Sequence, residues 1–238
     1  MPTRIEKLQA HASHLLDAFI SLQERYAMLH PMLFDQTVVT QYGSSSRAQG
    51  FQTLRHSLFL SCAQDIAKLC LDNDDRTPSL RRLESALQQP EVRSELKEAF
   101  VIWVLPSIET EPDPEVREAL RRMELREQAE RREQFEEILA RTQQAWKELE
   151  DDPALKAFHT IRDKVSAHTE VHLVADKYKF VDIGELGIKW GDLKRVIDSM
   201  QAIVEDIGLL IRNAGFAWDS LETQLSKASK GFWVTSAA

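Results

Sequence analysis

Apolar residues recur along this chain at steps of three and four. Ile5, Leu8, Ala12, Leu15, Phe19, Leu22, Tyr26 and Leu29 form one such seam, which predicts a helix ending before Pro31. The polar stretch TQYGSSS offers N-caps for a second helix, from about Ser46 to Leu71. DNDDRTP interrupts it, and Thr77-Pro78 reads as a cap followed by a first-turn proline. Shorter helices are predicted over about 79–88 and 91–105. Beyond EPDP the apolar stripe is thin between Met123 and Phe135, then resumes with Phe135, Ile138, Leu139, Trp146 and Leu149. Asp152-Pro153 opens a helix over about 154–168. HLVADKYKFVDIG alternates loosely, which fits a short hairpin or an irregular loop before the C-terminal helices. Further helices are predicted over about 191–214 and 218–230, with Gly215 either a break or only a kink.

Composition narrows the fold class. Gly and Pro number eight each in 238 residues, and no glycine stands between Gly50 and Gly184. Sandwiches and barrels need more turn residues, and a doubly wound nucleotide-binding fold needs a glycine-rich phosphate loop. The expectation is an all-α bundle forming a single domain over residues 1–238. Residues 115–150 hold ten Asp/Glu and eight Lys/Arg, and Glu118–Arg122, Glu127–Arg131 and Glu137–Arg141 place the acid four residues before the base. Read as one helix, the charged segment 112–150 extends for more than ~50 Å. It is either a solvated connecting helix or a projecting arm for a partner.

The formal charge is −8, from 30 Lys+Arg against 38 Asp+Glu. That balance argues against coating nucleic acid through bulk charge, yet leaves room for a local basic site. Cys62 and Cys70 lie two helical turns apart, ~12 Å, beyond disulfide reach, and read as buried thiols. The longest apolar run, AFVIWVL, is too short to span a bilayer, and MPTRIEKLQAH lacks a signal-peptide core. A soluble cytoplasmic protein with no membrane partner is expected.

On a helical wheel at about 100° per residue, two stretches carry charge on the packing face. In the helix after Pro153, Arg162 falls between Phe158 and Leu155, and His168 lies at the arc's other edge. In the second helix, Arg55 and Asp65 fall within the arc of Phe51, Leu58, Cys62 and Ile66. A guanidinium is costly to bury unpaired. The plain account is a structural Arg–Asp pair between helices. The sharper account is a site in which Asp65 orients Arg162 or Arg55 toward a phosphate.

The stretch RDKVSAHTE, Arg162 to Glu170, resembles the motif of the HEPN superfamily, the helical domain of many prokaryotic defence and toxin ribonucleases. That motif is Arg, four to six residues, then His near a helix end, often with a polar residue straight after the Arg. QYGSSSRAQGFQTLRHSLFLSCAQDIAKLC, followed by DRTPSLRRLESAL, and the later WGDLKRVID are similar to the abortive-infection branch. The resemblance covers most of the chain, least securely the charged helix. It implies a bundle of about four to five core helices and a homodimer whose two Arg/His motifs meet at the interface. It also implies metal-independent RNA cleavage with no cofactor, and an antitoxin or other defence-system partner.

The chemistry required is modest. A histidine titrating near neutrality can move the proton of a ribose 2′-hydroxyl. A forked, permanently charged arginine can hold phosphate oxygens as negative charge builds. His168 is thus expected to transfer protons, Arg162 to bind the phosphate, and Asp163 to orient. Lys164, Asp65, Arg55 and His172 are candidates for phosphate contact or support, and Lys156, Lys177 and Lys179 for a basic rim. In one regular helix Arg162 and His168 stand ~9 Å apart along the axis. Either the helix unwinds near Ala167 or a second subunit completes the site. The competing reading is a HEPN module without catalysis, serving RNA or nucleotide binding or oligomerisation.

His11, His14 and Asp17 sit at helical spacing but are too few for a metal site, so none is expected. Trp103, Trp146, Trp190 and Trp218 lie beside apolar neighbours and are expected in the core. No nucleophile triad, Walker loop or zinc-spaced cysteine set is present.

Overall fold

The structure is a computed structural model that describes residues 3–44, 46–106, 108–167, 171–174, 177–180 and 183–233. Helix α1 spans Arg4–Phe34. It begins on a capping box, in which Thr3 Oγ1 accepts from the Glu6 N–H and the Glu6 carboxylate accepts from the Thr3 N–H. Of the predicted seam, Leu15, Phe19, Leu22 and Leu29 are fully enclosed, as is Met32 beyond it, while Ile5 and Tyr26 are partly buried.

The helix does not stop before Pro31 but runs through it. A proline there removes the N–H that the Ala27 carbonyl would accept. Ser229 Oγ donates to that carbonyl at 2.7 Å, and Trp233 Nε1 donates to the neighbouring Met28 carbonyl at 3.0 Å. Both donors come from the last helix, α9, Trp218–Trp233. Long-range partners therefore satisfy a position that local rules mark as a helix end.

Asp35 then caps a short helix α2, Gln36–Gly43, which the apolar pattern does not predict and which takes in the first residues of the polar stretch TQYGSSS. Helix α3 spans Ala48–Leu71, α4 Leu80–Leu87 and α5 Pro90–Val101. α5 ends four residues short of the prediction. The β-branched Val101-Ile102 and Val104 disfavour continuation, and Pro106 disfavours helical geometry at Leu105.

The charged segment forms α6, Pro114–Asp151, N-capped by Asp113. Its second half is core: Phe135, Leu139, Thr142, Trp146 and Leu149 are buried. Its first half leaves Met123 and Leu125 exposed, 41% and 66% accessible. After Asp152, helix α7 covers Pro153–Thr160, and a π-helical segment covers Ile161–Ala167. Strands β1, Val171–Val174, and β2, Lys177–Phe180, pair antiparallel, with His172 opposite Lys179 and Val174 opposite Lys177. Helix α8, Trp190–Arg212, ends at Asn213 in the left-handed conformation, so the break precedes Gly215.

The chain is thus an all-α bundle carrying one small hairpin. α1 packs on α3 and α8, α6 lies against α8 and α5, and α7 with the π segment lies against α3. Arg141 of α6 makes a bidentate pair with Asp206 of α8, Nε–Oδ2 2.9 Å and Nη2–Oδ1 2.5 Å. Cys62 and Cys70 are buried free thiols, as expected. Trp146 is core, but Trp190 is exposed, contrary to expectation.

Candidate functional site

Two elements position the site: the C-terminal end of α3 and the π segment after α7. The α ladder ends at Ile161, whose N–H is shared between the Ala157 and Phe158 carbonyls. From there the backbone winds with i→i+5 bonds. Such turns are rare and concentrate at functional sites. The predicted regular helix over 154–168 is therefore corrected to eight residues of α-helix, Pro153–Thr160, followed by a wider coil over Ile161–Ala167. The change begins at the residue before Arg162. Ile161 stays fully buried and Val165 packs on the core, while Arg162, Asp163 and Lys164 remain half-buried.

Arg162 meets Asp72 across the helix junction, Nη2 to Oδ2, at 3.7 Å. Asp72 is the C-cap of α3, so the guanidinium also faces the negative end of that helix dipole. The loop after α3 holds Asp72 in place. Ser79 Oγ donates to its carbonyl at 2.5 Å, and its Oδ1 accepts from the Asp74 N–H at 3.4 Å. Asp163 stands one turn from His159, Oδ2 to Nδ1 3.2 Å, with both side chains partly exposed.

The other expected members separate. Asp65 pairs with Arg25 of α1 at 2.6 Å, so it orients neither Arg162 nor Arg55. Burial pushes its carboxyl above the usual range, and the Arg25 charge opposes that shift. Asp65 therefore ties α1 to α3 through Arg25, which the wheel argument did not single out. Arg55 lies near the start of α3, between the rings of Phe51 and Trp190, with its guanidinium carbon 5.9 and 5.7 Å from their centroids. Its Nη2 donates to Gln52. Lys156 caps the end of α6 through the Asp151 carbonyl at 3.2 Å.

His168 lies outside the described residues, immediately after the π segment. His172 lies in β1, where only the backbone is described. Among the described residues, no group of three His, Cys, Asp or Glu side chains is placed to hold a metal ion. His14 pairs loosely with Asp17 at 4.0 Å.

The HEPN family model described as AbiU2 matches residues 5–232. The chain belongs to that family. No curated protein and no solved structure gives a significant match. In this HEPN domain, the match spans both elements of the site and the charged helix α6, which the motif resemblance left least determined.

Sequence reasoning missed two residues of this candidate site, Asp72 and His159. Asp72 is the first carboxylate after the α3 apolar stripe, and a C-cap acid beside a helix end is a weak signal. His159 is partly exposed, and its four-residue spacing to Asp163 is the signal that could have found it.

Proposed function

We propose that this HEPN protein is a metal-independent endoribonuclease of a phage-defence or toxin type. The observation that carries the reading is Arg162. It stands half-exposed at the start of a π-helical turn, six residues before a histidine, in a chain matching an AbiU2 HEPN model almost end to end. Arg162 binds the scissile phosphate and stabilises the developing dianion. His168 transfers the proton of the attacking 2′-hydroxyl or of the leaving 5′-oxygen. Asp163 orients the reacting groups, and Lys164 and His172 contact the phosphate. The products carry a 2′,3′-cyclic phosphate and a 5′-hydroxyl.

A second copy of the chain brings a second Arg162/His168 pair to the same cleft, so the working unit is a homodimer. The first half of α6, with Met123 and Leu125 exposed, is the surface offered to an antitoxin or other defence partner. The protein works in the cytoplasm. Among the described residues no helix is long and apolar enough to cross a membrane.

One observation favours the competing reading, a HEPN module without catalysis: Asp72 already offsets the Arg162 charge. The test compares RNA decay by the purified protein in EDTA with decay by Arg162→Ala and His168→Ala. The nuclease reading predicts loss in both variants. Equal decay by all three marks contamination and leaves the binding module.

A further inference from the structure

At the opposite end of α3 from Asp72, an open cavity of about 500 Å³ is walled by Tyr42, Phe51, Leu54, Phe232 and Trp233, with Arg47 at its rim. That volume suits a small planar ligand. The inner rings support one another. Tyr42 and Phe51 stack nearly parallel with centroids 6.1 Å apart, and Trp233 meets both edge-on. The outer wall is open to solvent: Phe232 is 58% exposed and Leu54 42%. Beside it the Arg55 guanidinium is held between Phe51 and the exposed Trp190.

Charge distribution sets this surface apart. The chain carries a net −8, yet residues 36–64, which form the α2 side and the start of α3, contain no Asp or Glu. Residues 223–233, at the end of α9, contain none either. The same two stretches supply Arg47, Arg55, Lys227 and Lys230. Exposed rings beside cations, on two stretches of chain that carry no carboxylate, make a platform for unpaired bases and their phosphates. A membrane-binding face would call for a broader apolar surface, and a simple anion site has no use for the aromatic wall.

We infer that this cavity is a second RNA contact, which seats an unpaired base against Phe232 and Leu54 and places the adjoining phosphates on Arg47 and Arg55. The choice of RNA as the polymer rests on the ribonuclease reading. The surface lies ~30 Å along α3 from Asp72, by the rise per residue. A single strand bound there is anchored away from the cleavage site, so it selects unpaired substrate without joining in the reaction.

The test uses the full chain and a short fluorescein-labelled single-stranded oligonucleotide with 2′-O-methyl ribose, which cannot be cleaved by 2′-hydroxyl attack. Fluorescence anisotropy is expected to show Phe232→Ala and Leu54→Glu binding about tenfold more weakly than wild type. Arg47→Ala and Arg55→Ala are each expected to flatten the plot of log Kd against log salt by about 0.7. Thermal denaturation and sedimentation run alongside, because Phe232 and Leu54 are exposed and their replacement should leave folding intact. The inference is overturned if wild type does not bind, or if all four variants bind as wild type does. It is equally overturned if Phe232→Ala dissociates a dimer without weakening binding, since the surface then covers a second copy. If binding depends on these residues while no form of the protein cleaves the unmodified RNA, this contact stands and the ribonuclease reading falls.

Discussion

Arg162 Nη2 stands 3.7 Å from Asp72 Oδ2, close enough to be oriented by the charge and too far for a direct hydrogen bond. The pair therefore aims the guanidinium without committing one of its N–H donors to the Asp72 carboxylate. Partly exposed ion pairs contribute roughly 0–1 kcal/mol. Arg162→Ala should thus leave stability within about 1 kcal/mol of wild type while lowering single-turnover RNA cleavage by about 10²–10³. Arg162→Lys, which keeps charge but loses the fork, should not restore the rate. A larger stability loss with unchanged cleavage would make Arg162 a packing residue.

Asp206 is buried between α6 and α8, held by Arg141 and by Thr142 Oγ1 at 3.3 Å. Arg141→Met leaves its carboxylate with only the Thr142 hydroxyl, whose one proton also faces the Ile138 carbonyl at 2.8 Å. The expected loss is about 1–3 kcal/mol in denaturant unfolding, discounted because the Arg141 end is open to solvent. The double variant Arg141→Met with Asp206→Leu should recover most of it, since an apolar replacement of the pair removes the stranded charge.

Ser229 answers the carbonyl that Pro31 leaves unpaired. Ser229→Ala should cost about 1–3 kcal/mol, read as a melting temperature lower by roughly 2–4 °C per kcal/mol for a chain of this size. Pro31→Ala supplies an N–H to the same carbonyl, so in that background Ser229→Ala should cost less.

Burial pushes the Cys62 thiol up to about 12 and the Cys70 thiol higher still. Neither forms the reactive thiolate near neutral pH. Alkylation by iodoacetamide should be negligible on the native protein and should reach both cysteines once denaturant is added. Modification of either in the native state would show that α3 opens locally.

Glu84 is buried on α4, and burial raises its carboxyl above the ordinary value of 4.5, against the opposing 2.6 Å hydrogen bond from Gln88. The folded state thus holds this proton more tightly than the unfolded state. Its stabilising contribution is complete below the ordinary value and is lost as pH rises through the folded one. Glu84→Gln should therefore melt higher than wild type at neutral pH, and the difference should vanish below the ordinary carboxylate range.

The core of this fold was legible because burial follows helical periodicity. The α1 seam, the capped start after Asp152 and the revival of the α6 stripe at Phe135 are all local signals. What escaped depended on distant partners. Pro31 ends a helix by local rules, and only the approach of Ser229 and Trp233 makes its continuation tolerable. The wheel found Arg162 and Asp65 on packing faces. It could not show that Asp65 meets Arg25, or that the winding changes at Ile161, because both depend on how α1 and α7 settle against α3. The aromatic cavity draws Tyr42 and Phe232 from opposite ends of the sequence, and no spacing rule joins them.

End-group analysis of RNA cut by the purified protein in EDTA tests the central claim most directly. The account predicts 2′,3′-cyclic phosphate and 5′-hydroxyl termini, absent when Arg162 or His168 is replaced by alanine. Termini bearing 5′-phosphate and 3′-hydroxyl, or identical cleavage by wild type and both variants, would contradict it.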